Sequence, residues 1–270
     1  MKDTPEMNIR LPDHSVTGDG EVTVFLLHGA FGAKEYWRSQ IKALSDAGYR
    51  VVAWDAPGYG VSPLPADFSI QTAAEACARL IDARGGARNV LMGHSMGGMI
   101  AQRAFDYRTD QVEGLILSAT SAAFGRSGGE WQQAFVRDRT APLDAGQTIP
   151  QYAPKMLRGM MASGAGGPIV DLMIDVVSQM REETFRAAIQ AITQFDGRDI
   201  LPKMATRPVL CIAGEHDLNA APPAVMEKLA GKIDGEYVCR SGVGHFGWAE
   251  QPDVFNALAL DFLARRIRPA

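Results

Sequence analysis

The segment Gly93-His94-Ser95-Met96-Gly97-Gly98 restricts this chain more than any other, because it joins a short strand-like run, Asn89–Met92, to a helical one from Met96 to about Phe105. A serine at a sharp strand-to-helix turn projects its Oγ outward, in a backbone conformation that most residues resist. Side chains two positions before and after would collide across such a turn, and Gly93 and Gly97 leave that room. The next amide, of Met96, opens the helix, where unpaired donors and the helix dipole favour negative charge. This is G-x-S-x-G in the strand–turn–helix setting that a nucleophilic serine requires.

The rest of the chain supplies a sheet for that turn. Val22–Leu27, Arg50–Asp55, Val112–Ser118, Pro208–Ala213 and Glu236–Arg240 read as strands. Helical stretches at Ala73–Ala83, Ala224–Ala230 and Asp253 to about Arg266 are interleaved with them. Alternating strand and helix predicts an α/β fold with a mostly parallel sheet flanked by helices. The rhythm stops between Thr120 and Pro202, where Trp131–Arg137, Ile169–Met180 and Glu183–Phe195 have helical spacing and Ser163–Pro168 (SGAGGP) is a flexible link. Six of the twelve methionines fall between Met156 and Met204. The expected organisation is a core of residues 1–119 and 203–270 with a helical insertion, 120–202, acting as a lid. Its methionines are expected mainly to pack helices, and a few of them to line an adaptable pocket. Trp131, Phe135, Arg137 and Arg139 are the insertion's candidates for facing a substrate.

Composition narrows the function classes. The 270 residues carry 27 basic and 31 acidic side chains, a formal net charge of −4 with no basic run, which argues against a nucleic-acid partner. No stretch approaches the ~18 consecutive apolar residues of a membrane helix. The opening MKDTPEMNIRLPDHS has charges and prolines where a signal peptide needs an apolar stretch. Cys77, Cys211 and Cys239 form no CxxC pair, so neither a disulfide framework nor a zinc site is indicated, and a cytoplasmic location is the expectation. Asp55-Ala56-Pro57-Gly58-Tyr59-Gly60-Val61-Ser62 lacks the third glycine and the helix opening of a dinucleotide site; it reads as a turn in which Asp55 binds backbone amides. No metal or cofactor is expected.

A serine nucleophile needs a base, an acid and an oxyanion site. Five histidines are available. His14 lies in the irregular start, and His28 and His94 flank sharp turns that they are expected to shape. His216 adjoins a better-placed acid. His245, in a glycine-rich loop between the last strand and the last helix, comes to the carboxyl edge of the sheet, the same edge as Ser95. The acid should follow a strand lying between serine and histidine. After Val112–Ser118 no carboxylate comes before Glu130, whereas Pro208–Ala213 runs into Gly214-Glu215-His216-Asp217. Asp217 is the first choice and Glu215 the second. The second oxyanion donor should come from the loop after the first core strand, His28-Gly29-Ala30-Phe31-Gly32, with the Ala30 amide preferred over that of Phe31.

These motifs carry a family resemblance. LLHGAFG at 26–32, WDAPGYGVS at 54–62, GHSMGGMIAQ at 93–102, PVLCIAGEHD at 208–217 and GVGHFGWAEQPDVFNALALDFL at 242–263 resemble the α/β-hydrolase superfamily across nearly the whole chain. FDGRDILPKM before PVLCIAGEHD, and the AEQPDVFNALALDFL ending, look most like 3-oxoadipate enol-lactonases and neighbouring cofactor-free esterases. The resemblance implies Ser95 as nucleophile, Asp217 as acid, His245 as base, the Ala30 and Met96 amides as oxyanion hole, and 120–202 as a cap. It implies a serine hydrolase of small carboxylic esters or lactones. Carbon–carbon bond hydrolysis is the alternative, although the loop AFGAKEYW departs from the glycine-proline-rich loop of the meta-cleavage hydrolases. A ligand-binding receptor on the same fold is the third reading. Ser95 argues against the haloalkane dehalogenases, which carry aspartate there.

Overall fold

The computed structural model describes residues 10–125 and 129–267; the first nine residues, on which the reading of the chain's start partly rests, lie outside them. Among the described residues a single seven-stranded sheet runs through the molecule. Its strands are β1 (His14–Thr17), β2 (Val22–Leu27), β3 (Arg50–Trp54), β4 (Arg88–His94), β5 (Val112–Ser118), β6 (Val209–Gly214) and β7 (Glu236–Arg240). Their order across the sheet is β1-β3-β2-β4-β5-β6-β7. β1 pairs antiparallel with β3, and every other neighbouring pair is parallel.

The helices in chain order are α1 (Arg38–Asp46), α2 (Ile70–Arg84), α3 (Met96–Tyr107), α4 (Glu130–Asp144), α5 (Ile149–Arg158), α6 (Pro168–Ser178), α7 (Glu182–Thr193), α8 (Leu201–Met204), α9 (Pro223–Lys232), α10 (Gly247–Glu250) and α11 (Pro252–Arg266). All six residues of β2 are buried, as expected of a strand covered on both faces. Successive side chains alternate sides. Phe25 and Leu27 join Ala73 and Leu80 of α2 and Ile100 of α3, while Val24 and Leu26 join Leu44 of α1 and Phe255 and Phe262 of α11.

Local chemistry accounts for where the elements exceed the sequence reading. α2 begins at Ile70, three residues before the expected start, because Ser69 and Thr72 form a capping box: the Thr72 amide donates to Ser69 Oγ at 3.1 Å and the Ser69 amide to Thr72 Oγ1 at 3.0 Å. β1 lacks a strand-like pattern, since it lies at a sheet edge and only β3 orders it. α5 contains Pro150 and Pro154, which weaken its signal.

Residues 120–202 contribute α4 to α7, the first two residues of α8 and no named strand among those described. The segment leaves and re-enters at a paired neck: Ala123 bridges Asp196 antiparallel, the Phe124 amide donates to the Phe195 carbonyl at 3.0 Å, and the Gly197 amide to the Ala122 carbonyl at 2.7 Å. Arg103 of α3 grips that neck through Asp199 and the Asp196 carbonyl. Met161, Met173 and Met204 are buried in the packing, while Met160 lines a cavity and Met156 lines an open groove.

Candidate active site

Parallel strands carry their carboxyl ends to one edge, and the four segments singled out in the sequence all emerge there. Gly29 and Ala30 follow β2, Ser95 follows β4, Asp217 follows β6 and His245 follows β7. Ser95 has φ 52° and ψ −118°, a left-handed conformation for a side chain with a Cβ. Its amide continues the β4–β5 ladder by donating to the Ser118 carbonyl at 2.8 Å. On its other side Thr120 Oγ1 donates to the Ser95 carbonyl at 2.8 Å. The turn is held from both neighbours, which is how a strained residue persists. A Cβ on Gly93 would stand 2.3 Å from the Gly97 carbonyl oxygen, and one on Gly97 would stand 2.1 Å from that of Leu27.

His245 and Asp217 are both buried, each 2% exposed, and His245 Nδ1 lies 2.6 Å from Asp217 Oδ2. Asp217 accepts in addition from the Ala220 and Ala221 amides. Burial alone would raise its carboxyl, but the His245 charge and these hydrogen bonds outweigh it and hold the group below its ordinary range. An ionised Asp217 therefore takes the Nδ1–H and turns Nε2 free for other work. Glu215, the other carboxylate after β6, is half exposed and accepts from Ser241 Oγ at 2.9 Å and the Gly242 amide at 3.1 Å; it ties the β7 loop down and does not meet the imidazole.

Ser95 and His245 line one narrow cavity, together with Ala30 and Phe31. Among the described residues no hydrogen bond joins the Ser95 hydroxyl to the imidazole; the two share a cavity wall, and such bonds commonly tighten only when substrate is bound. The loop bearing Ala30 is fixed by two tyrosines: the Gly29 amide donates to Tyr36 Oη at 2.8 Å and Tyr59 Oη donates to the Ala30 carbonyl at 3.0 Å. A Cβ on Gly29 would lie 3.2 Å from that of Ser95, so the loop lies against the serine turn. Met96 is the first residue of α3, where its amide precedes those bonded within the helix.

His28 and His94 sit in the turns they flank, each hydrogen-bonded there. His28 Nδ1 donates to the Gly29 carbonyl at 2.8 Å and Nε2 accepts from the Ala56 amide at 3.0 Å. His94 Nδ1 is 3.3 Å from Ser118 Oγ, its Nε2 has no hydrogen-bond partner among the described residues, and its ring is 4.8 Å from that of His245. Burial lowers the pKa of both, that of His94 well below the usual value, so both rings are neutral. Asp55 accepts from the Lys34 amide at 2.8 Å and pairs with the Lys34 ammonium, which makes 55–62 a braced turn.

Glu250 lies within the GVGHFGWAEQ stretch but has no mark in the sequence that sets it apart from other acidic residues. Thr120 carries no such mark in the sequence either, and Arg139 is there only one of four candidates for facing a substrate. Glu250 binds the amides of Gly244, Phe246 and Ala162. Arg139 lines the Ser95 cavity. Neither residue type has a signal of its own at these positions, because partners 88 residues away or across a cavity define the role. Among the described residues no group of three or more His, Cys, Asp or Glu is placed to hold a metal ion, and no helix is long and apolar enough to cross a membrane.

Comparison with known proteins agrees with this layout. The chain is 28% identical over 274 residues to a 2-hydroxy-6-oxononadienedioate/2-hydroxy-6-oxononatrienedioate hydrolase of Pseudomonas sp., covering 92% of this chain and 90% of that one. It is 26% identical to the pimeloyl-[acyl-carrier protein] methyl ester esterase of Neisseria meningitidis, covering 93% and 96%. Among solved structures, the enol-lactonase of Burkholderia xenovorans superposes with a TM-score of 0.79 at 25% identity, covering 93% of this chain and 96% of that one. The sequence model of the alpha/beta hydrolase family matches residues 24–258. With its serine turn, sheet order and nearly full-length match in agreement, this chain belongs to the alpha/beta hydrolase family.

Proposed function

We propose that the protein is a serine hydrolase of small carboxylic esters or lactones, working through Ser95, His245 and Asp217. The observation that carries the reading is the buried 2.6 Å His245–Asp217 contact opening onto the cavity that holds the strained Ser95. His245 Nε2 takes the Ser95 proton as Oγ attacks the carbonyl carbon. The oxyanion so formed is held by the Ala30 and Met96 amides, where losing one good donor typically costs about 10²–10³ in rate. Collapse breaks the carbon–oxygen bond, and the leaving oxygen receives the proton from His245. Water then attacks the acyl-enzyme, giving its proton to His245, and Ser95 regains its own as the acid departs. The balance is ester plus water to acid plus alcohol; a lactone gives the open hydroxy acid.

In this reading residues 120–202 form a cap over a core of 1–119 and 203–270, supported by the paired neck and by the α4 and α7 side chains in the cavity wall. The ester reading is supported by the similarity to the methyl ester esterase and the enol-lactonase. The similarity to the oxononadienedioate hydrolase favours a second reading, carbon–carbon bond hydrolysis by the same residues.

The test is fluorophosphonate labelling combined with a panel of short esters, lactones and vinylogous 1,3-diketones, run on wild type and Ser95→Ala. Labelling at Ser95, with ester or lactone turnover lost in the variant, is expected. Full turnover in Ser95→Ala by an unlabelled protein would overturn the mechanism. Turnover confined to the diketones would select the second reading.

A further inference from the structure

The cavity at Ser95 is apolar over most of its wall: Phe31, Met99, Phe124, Phe135, Ile189 and Ile192 all face it. Among the described residues Arg139 is the only Lys, Arg, Asp or Glu lining it. This arginine projects from α4, stacks its guanidinium carbon 3.4 Å over the centre of the Phe135 ring, and makes one long hydrogen bond, 3.5 Å, to the Phe135 carbonyl. Among the described residues no carboxylate forms an ion pair with it; the same is true of Arg50, Arg84 and Arg207, but of these only Arg139 lines the cavity. A guanidinium has five N–H donors in a planar fork suited to a carboxylate. Here most of that fork lacks a protein acceptor, although the group is withdrawn from water enough for burial to disfavour its charge.

Phe135, Arg139 and Met160 also line a more open groove bounded by α4 and α5, so Arg139 stands where that groove and the Ser95 cavity meet. The aromatic face of Phe135 fixes one side of the guanidinium and leaves its edge for a ligand. A carboxylate there would gain two charge-assisted hydrogen bonds in a poorly hydrated setting. The apolar walls would hold the carbon chain between that carboxylate and the carbonyl presented to Ser95.

We infer that Arg139 is the anion-recognition residue of the substrate site, and that the substrate is an ester or lactone bearing a free carboxylate separated from the scissile carbonyl by a short apolar chain. The substrate class rests on the hydrolase reading above, whereas the anion subsite at Arg139 does not require it.

Two probes of nearly equal shape separate the possibilities: monomethyl glutarate, and methyl 5-methylhexanoate, in which an isopropyl group replaces the carboxylate. Wild type should prefer the charged ester. In Arg139→Met, kcat/KM for monomethyl glutarate should fall on the order of 10- to 100-fold, mostly through KM, with the neutral ester unchanged or improved. Arg139→Lys keeps the charge without the fork and should fall between. Loss of equal size on both esters, or on neither, would overturn the assignment. Calorimetric binding of monomethyl glutarate to Ser95→Ala separates this claim from the mechanism. Binding that survives Ser95→Ala and disappears in the Ser95→Ala, Arg139→Met double variant supports the subsite even where serine chemistry fails. Binding indifferent to residue 139, or absent from both proteins, overturns it even where Ser95 is the nucleophile.

Discussion

The Glu250 carboxylate brackets His245, with Oε2 accepting from the Gly244 amide at 3.0 Å and Oε1 from the Phe246 amide at 2.9 Å. The same Oε2 accepts from the Ala162 amide at 2.8 Å, and the His245 amide donates to the Met160 carbonyl at 2.8 Å. The loop presenting the imidazole is therefore built jointly by the α10 turn and the helical segment. Glu250→Gln replaces one accepting oxygen by a donor that faces an amide. We expect it to lower the unfolding free energy by about 1–3 kcal/mol, as hydrogen bonds to charged groups are worth, and to lower kcat by about 10-fold. Urea unfolding and steady-state kinetics measure both; an unchanged kcat would show that the bracket does not orient His245.

Ser95 holds a left-handed backbone at φ 52°. Such strain costs on the order of 1–3 kcal/mol, while glycine there would lose about 0.5–1 kcal/mol in chain entropy. Ser95→Gly should therefore be more stable than wild type by about 1 kcal/mol while hydrolysis falls to background. Ser95→Ala keeps the Cβ and should lose hydrolysis without that gain. Chemical denaturation of the three proteins side by side decides the matter, and equal stability of all three would remove strain from the account.

Gly97 and Gly231 form a matched pair. A Cβ on Gly97 meets the Leu27 carbonyl oxygen at 2.1 Å, whereas one on Gly231, in α9, meets nothing within 4 Å. Gly231→Ala should stabilise by about 0.5–1 kcal/mol through helix propensity. Gly97→Ala should destabilise by more than about 3 kcal/mol, since backbone has to move in the packed centre of the sheet. Thermal melts of the two variants should shift in opposite directions.

Stability should fall as pH drops from 7 to 5. His28 and His94 are buried with lowered pKa values, so both stay neutral in the fold and bind protons on unfolding near the ordinary ~6.5. The unfolded state then binds more protons below that value; His94, whose pKa is lowered furthest, contributes a slope of up to one proton, about 1.4 kcal/mol per pH unit, and His28 adds to it. Asp217 acts in a separate window: its lowered pKa gives stability that is present above the ordinary carboxyl value near 4 and is lost as pH falls below it. Urea midpoints across pH 3–8 in wild type and His94→Asn test this, the variant having the shallower slope between 5 and 7.

Much of the candidate site was legible because it is written in local pattern. The G-x-S-x-G turn, the alternating strands and the order Ser95, Asp217, His245 all depend on which residues can occupy a sharp turn at the end of a buried strand. Val22–Leu27, Val112–Ser118 and Glu236–Arg240 form over the very residues read as strands, because apolar runs bounded by turn residues carry their own signal. By contrast β1 is ordered by pairing with β3 and α1 by packing on α11, so neither stood out beforehand.

What the sequence by itself determined was the set of turns and the edge of the sheet to which each chemical group is delivered. Only the tertiary structure decided which groups meet. It chose Asp217 over Glu215 for His245, gave Glu250 its three amides, and left Arg139 facing an apolar cavity with no carboxylate paired to it among the described residues. The physical reason is range: turn geometry and strand periodicity act over a few residues, whereas a hydrogen bond or an unpaired charge is defined by neighbours that only the packed fold brings within about 3 Å.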